Sequence, residues 1–179
     1  IINSSPAYDT ETDTLYVGAN DGMLHAFNAK NGQEVFAYIP SIINWGLLST
    51  LSRGDYVHKY FVDGPIVVSP RSLTAAKKNI LVGSLGRGGK GLYALDVTNP
   101  TSMSASNFKW EIADTTGKNM GLVLGKPLLA NVRNGSTTPA VVVANGPNST
   151  NERAVLIVLD MNTGKVIREI DTGEGSAAL

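Results

Sequence analysis

A chain of 179 residues, 42% of them hydrophobic and 17% charged, is long enough to bury a core and too apolar for disorder to be the default. Its 15 Lys+Arg balance its 15 Asp+Glu, so the charge does not favour nucleic acid or anionic lipid as a partner. It has no cysteine, which removes disulfides, thiolate metal sites and cysteine nucleophiles, and no apolar run approaches the roughly 18 residues of a membrane span.

The chain opens on Ile1-Ile2-Asn3-Ser4-Ser5-Pro6, with no initiating Met and without the basic start and apolar run of a signal peptide. The expectation is a piece of a longer protein, with room for a secretory leader elsewhere in it. The first β-rich run is Leu15–Gly18, followed by a turn at Asn20-Asp21-Gly22 and a second run, Leu24–Asn28. Asn31-Gly32 then turns the chain into a third run, Val35–Ile39. Next, Ser41 is placed to cap a short helix through Ile42, Ile43, Leu47, Leu48 and Leu51, whose spacings of three and four share one helical face.

The pattern then returns. Tyr60-Phe61-Val62-Asp63-Gly64-Pro65-Ile66-Val67-Val68 reads as the innermost strand of a second copy. That copy continues as Ile80–Gly83, a loop Gly86–Gly91, Leu92–Asp96 and Phe108–Ile112. A third copy has Gly125–Ala130, Ala140–Ala144, Val155–Asp160, a turn at Asn162-Thr163-Gly164 and Val166–Ile170. Asn28, Asp96 and Asp160 occupy equivalent places, each ending a strand where a short polar side chain can bond the backbone beyond it. They fall about 65 residues apart, more than the roughly 40–50 of simple propeller repeats, so the units carry insertions.

Four strands per unit is the make-up of a propeller blade, and a blade buries both faces of its sheet only by stacking on others. The expected fold is therefore all-β: a partial β-propeller of quinoprotein-like four-stranded blades, about three to four of them, with one short inserted helix. The whole of 1–179 is one partial domain, with blade-like units near 1–59, 60–119 and 120–179.

Chemistry-bearing motifs are few. Gly86-Arg87-Gly88-Gly89-Lys90-Gly91 has the spacing of a dinucleotide fingerprint but leads into the strand Leu92–Asp96 instead of a helix, and Gly91 stands where a phosphate loop needs Ser or Thr. It reads as a strand-connecting loop. Asp9, Glu11 and Asp13 alternate as in a calcium loop, but Thr14 and Asn20 stand where the glycine and the closing acid belong, so a solvated turn is expected. His25 and His58 have no ligand spacing and read as structural; no Gly-x-Ser-x-Gly elbow is present. Arg53-Gly54-Asp55 offers a cation and a carboxylate across a flexible glycine, the tripeptide that integrins recognise, and is the adhesion candidate.

The run Tyr16-Val17-Gly18-Ala19-Asn20-Asp21-Gly22-Met23-Leu24-His25-Ala26-Phe27 resembles the signature of the PilY/PilC family of type IV pilus tip adhesins and biogenesis factors. Phe36–Ser41, Tyr60–Gly64, Gly83–Val97 and the opening Asn3–Pro6 are similar to that family as well. The family-signature positions, taken as structural, are Gly18, Asn20, Asp21, Gly22, Asp63, Gly64, Gly83, Asp96 and Asp160.

The resemblance implies the C-terminal propeller of a large secreted protein that passes the periplasm and outer membrane to the pilus tip. It implies work with minor pilins in pilus biogenesis and twitching motility, and attachment to host cells or surfaces. It implies calcium in a later blade, held by a loop of alternating aspartates. No such loop, nucleophile or metal cluster is visible in these residues, so no cofactor and no catalysis are expected of them. Two rivals share the blade pattern: a quinoprotein dehydrogenase, which would need a stacking floor and converging polar groups, and an outer-membrane assembly scaffold.

Overall fold

The computed structural model describes residues 1–113 and 118–175. It contains three four-stranded antiparallel sheets, each joined in chain order. The first holds β1 (Ala7–Asp9), β2 (Thr14–Gly18), β3 (Leu24–Asn28) and β4 (Glu34–Tyr38). After a one-turn helix, α1 (Trp45–Leu48), the second holds β5 (Ile66–Val68), β6 (Ile80–Ser84), β7 (Gly91–Asp96) and β8 (Phe108–Ala113). The third holds β9 (Leu128–Asn134), β10 (Ser136–Ala144), β11 (Val155–Asp160) and β12 (Val166–Asp171).

The repeat reaches down to single bonds. Asn28 accepts from the Lys30 amide at 2.9 Å, Asp96 from Thr98 at 3.1 Å and Asp160 from Asn162 at 2.8 Å. Each side chain therefore closes the same turn two residues on. The pairing of third and fourth strands slips at Ala26/Phe27, Ala94/Leu95 and Val158/Leu159, one step before those residues each time. A bulge there adds twist, which a sheet needs to sit against a rotated neighbour.

Alternation along the strands divides the core in two. Tyr16, Leu24 and Ala26 of the first sheet pack with Leu81, Tyr93 and Leu95 of the second. Ile80, Val82, Leu92 and Ala94 point the other way and pack with Val141, Val143, Ile157 and Leu159 of the third. The middle sheet is thus covered on both faces, and every residue of β6 and β7 is buried. The outer faces of the flanking sheets are open, with Tyr8 exposed on one and Leu128, Leu156 and Ile170 on the other.

Several sequence expectations are corrected. The helix covers only Trp45–Leu48, so Ile42, Ile43 and Leu51 lie outside it, and the first strand of the third sheet is Leu128–Asn134, beginning after Gly125. The helix is capped by Asn44, whose side chain accepts from the Leu47 amide at 3.0 Å, not by Ser41. Ser41 is occupied: its amide donates to Glu111 Oε1 at 2.7 Å and its hydroxyl donates to the other carboxylate oxygen. Nor does 60–68 form one strand; only Ile66–Val68 pairs. The Phe61 amide donates to the Asn20 side chain, the Val62 amide to the Ala19 carbonyl and the Asp63 amide to the Leu85 carbonyl. With these three donors spent on two different turns, Phe61–Asp63 cannot donate to a strand ladder.

Candidate functional site

The β2–β3 turn, the β6–β7 turn and the chain entering β5 meet at the joint between the first two sheets. Asn20, 4% exposed, is the fastener. Its Oδ1 accepts from the Phe61 amide at 3.0 Å and its Nδ2 donates to Asn3 Oδ1 at 2.8 Å. The entering chain thus runs between the turn of the sheet before it and the turn of its own sheet. The same device recurs at the next joint, where Ser84 Oγ donates to the Val123 carbonyl and Gly121 and Leu122 donate to Asn145 and Pro147.

Close approach explains the signature glycines here. A Cβ on Gly64 would run into Ser84 and the Gly86 amide, and one on Gly18 into the Val62 carbonyl. On Gly83 it would strike the Tyr93 ring, which lies across that strand. Gly22 has a φ of 93° and lies beneath Leu48 of α1. The Gly86–Gly91 run is a backbone packing loop: Gly88 lies directly against the Phe61 carbonyl, and a one-turn 3-10 helix spans Gly86–Gly88.

Around this joint stands a polar and aromatic cluster. The Arg87 guanidinium lies 5.4 Å over the Tyr60 ring, and His58 meets the same ring edge-on at 4.9 Å. Burial pushes the Asp63 carboxyl above the usual carboxylate range, against the pull of the Arg87 charge. One oxygen of Asp63 and Nε2 of His58 are buried without a protein partner. Sequence reasoning marked Asp63 but passed over Tyr60 and Arg87, because nothing in their spacing shows that a cation will stack on that ring.

The other candidates are scattered. Arg53-Gly54-Asp55 is exposed, in the excursion after α1, and its ends pair with each other: Arg53 Nε to Asp55 Oδ1 at 3.1 Å and Nη2 to Oδ2 at 3.3 Å. Asp21 caps its own turn through the Met23 amide and reaches His25 at 2.9 Å. Asp9, Glu11 and Asp13 have separate partners. Asp9 accepts from the Glu11 amide and the Thr12 hydroxyl, and Asp13 pairs with Lys30 at 3.0 Å. Glu11 is a strut to the second sheet, accepting from the Arg71 amide at 2.9 Å and from the Asn79 side chain, and these bonds hold its carboxyl below the ordinary range. The expected solvated turn is therefore partly an inter-sheet tie. Among the described residues, no three acidic or histidine side chains converge as a metal site requires.

Two of the concave surfaces are walled by strand and turn residues of these sheets. A groove of about 480 Å³ lies where β1, β5 and β9, the first strands of the three sheets, come together; its walls include Pro6, Tyr8, Pro65, Val67, Lys126 and Pro127. A larger one, about 610 Å³, is walled by the Asn145–Ser149 turn, Glu152 and Arg153 of the third sheet.

Residues 3–178 match the family described as the PilY1 beta-propeller domain. The chain belongs to that family. It is 42% identical over 166 residues to a type IV pilus biogenesis factor PilY1 homolog of Xylella fastidiosa, covering 93% of this chain and 11% of that protein. It is 39% identical over 165 residues to the type IV pilus biogenesis factor PilY1 of Pseudomonas aeruginosa, covering 91% of this chain and 14% of that one. The chain thus spans between a tenth and a seventh of the length of these relatives. The crystal structure of the Pseudomonas aeruginosa PilY1 C-terminal domain superposes with a TM-score of 0.69 at 37% identity, covering 93% of this chain and 31% of that one. A quinohemoprotein alcohol dehydrogenase from Comamonas testosteroni matches with a TM-score of 0.51 at 17% identity, covering 96% of this chain and 21% of its own length, which is a likeness of fold alone. The fold of this chain is therefore an array of four-stranded propeller blades, as the repeat in the sequence indicated.

Proposed function

We propose that this chain is a non-enzymatic binding and scaffolding part of a type IV pilus biogenesis factor, acting outside the cell at the pilus tip. The observation that carries this is the match at about 40% identity, along nine-tenths of the chain, to proteins named as type IV pilus biogenesis factors. On this reading the stacked sheets present loops to minor pilins and support pilus assembly and twitching motility. No nucleic acid or membrane span enters; no helix among the described residues is long and apolar enough to cross a membrane. Calcium, where the full protein uses it, is held by blades other than these.

The exposed Arg53-Gly54-Asp55 turn is the adhesive element of the proposal, a low-cost contact for an integrin-like receptor. Engagement would require the Arg53–Asp55 pair to open, which costs little because a pair exposed to this degree is worth at most about 1 kcal/mol.

The test is removal of this segment from the parent gene in its own bacterium. Surface pili and twitching should fall together while the truncated protein is still made. Normal piliation with normal twitching would overturn the proposal. Asp55→Ala should lower attachment to integrin-bearing cells and leave pili intact; unchanged attachment would remove the adhesive element alone. An absorbance scan of the purified protein separates the dehydrogenase rival, since a bound quinone would appear in it.

A further inference from the structure

His25 lies on the open face of the first sheet, between its cross-strand neighbours Val17 and Ala37. A carboxylate meets each of its ring nitrogens: Glu34 Oε1 of β4 is 2.5 Å from Nδ1, and Asp21 Oδ2 of the β2–β3 turn is 2.9 Å from Nε2. An ionised carboxylate only accepts hydrogen bonds, and a neutral imidazole has a single N–H to give. Both contacts exist together only when the ring carries two protons. A neutral ring would aim a lone pair at one of the two carboxylates, and that contact would have to open.

We propose that His25 is a pH-sensitive latch, closed as imidazolium, that fastens the β2–β3 turn to β4. Asp21 and Glu34 are the charged groups that face it; Val17 and Ala37 beside it carry no charge, and Phe27 stacks on the ring at 6.1 Å. The latch reaches beyond its own turn. The residue before Asp21 is Asn20, which holds the Phe61 amide and so the end of the excursion that carries Arg53-Gly54-Asp55. Opening the latch leaves Asp21 held only through the Met23 amide and loosens that fastening.

The sign follows from the direction of the shift. Burial acts to lower the imidazole's pKa, but its hydrogen bonds to Glu34 and Asp21, with their negative charges, outweigh it and leave the value above the ordinary 6.5. A group raised in the folded state contributes its full stabilisation below its unfolded value and loses it as the pH climbs through the folded one. The latch is therefore closed in mildly acid surroundings and opens on the alkaline side of 6.5.

The chain has two histidines, so proton NMR follows each ring directly. The His25 ring should titrate above 6.5, and Glu34→Gln should bring its midpoint down. A wild-type midpoint at or below 6.5 would overturn the proposal without any variant having to fold. A second readout is amide exchange at Met23, which donates to Asp21, and at Phe61, which donates to Asn20. Protection of both, corrected for the intrinsic pH effect, should fall as the His25 ring loses its proton and should be flat with pH in His25→Gln. Protection that ignores the titration would mean that the ring is a passive surface group.

Discussion

The two joints of this molecule share an apolar core and a close turn-to-backbone contact, and differ in the side chains that cross them. Between the first and second sheets, backbone meets backbone across glycines, and side-chain hydrogen bonds cross the gap: Asn20 to Phe61, Glu11 to Arg71 and Asn79, and Tyr38 and Ser41 to Glu111. Between the second and third sheets, aliphatic volume and one large ring do most of the filling. Trp110 lies across Gly164 and donates its indole N–H to the Met161 carbonyl at 2.8 Å. Both joints remove apolar area from water and both carry turn-to-turn hydrogen bonds; the first adds side-chain bonds from Glu11, Tyr38 and Ser41, and the second adds the Trp110 ring. Directed bonds fix how one sheet sits on the next, whereas apolar filling tolerates adjustment.

The difference predicts that Trp110 in the second joint is the position most sensitive to removal of atoms, and that Gly64 in the first is sensitive to their addition. Trp110→Ala should have the largest effect, about 4 kcal/mol in a urea melt, through the cavity and the orphaned Met161 carbonyl. A loss below about 1 kcal/mol would show that the third sheet collapses onto the space. Gly64→Ala should follow at about 3 kcal/mol, because the added methyl meets Ser84 and the Gly86 backbone, not the end of a flexible chain. A neutral result would mean that the entering chain is not pinned as described.

Asp96→Asn should be the smallest and should depend on pH. Burial alone would raise the Asp96 carboxyl, but bonds from Lys78 and Thr98 outweigh it and leave it low. Its stabilisation is then present above the ordinary 3.8 and is lost as the pH falls through the lowered folded value. Half of the Lys78 side chain is in solvent, so the difference at neutral pH should be about 1 kcal/mol or less, and it should vanish in strong acid. Equal melting differences at both ends of the pH range would assign the role of Asp96 to packing.

Much of this was legible in the residues. The β3 strand, Leu24–Asn28, and the β11 strand, Val155–Asp160, lie where alternation and the turn residues placed them, because both signals are local. The equivalence of Asn28, Asp96 and Asp160 was legible for the same reason: an Asx turn is closed by a residue two steps away. Ser41 was misread because a serine after a proline looks like a cap, and its true partner, Glu111, lies 70 residues on in another sheet. Glu11 was misread likewise, since the Arg71 amide that it accepts from belongs to the next sheet.

By itself, the order of residues determined the strands, their turns, the three-fold repetition and the need to stack, since each depends on backbone geometry and apolar alternation within a few residues. Only the tertiary structure decided which carboxylate holds which sheet, why Gly64 and Gly88 admit no side chain, and that His25 stands between two acids. Those are matters of distance between segments far apart in the chain, and such distances are set when apolar faces close on each other, not by any residue's immediate neighbours.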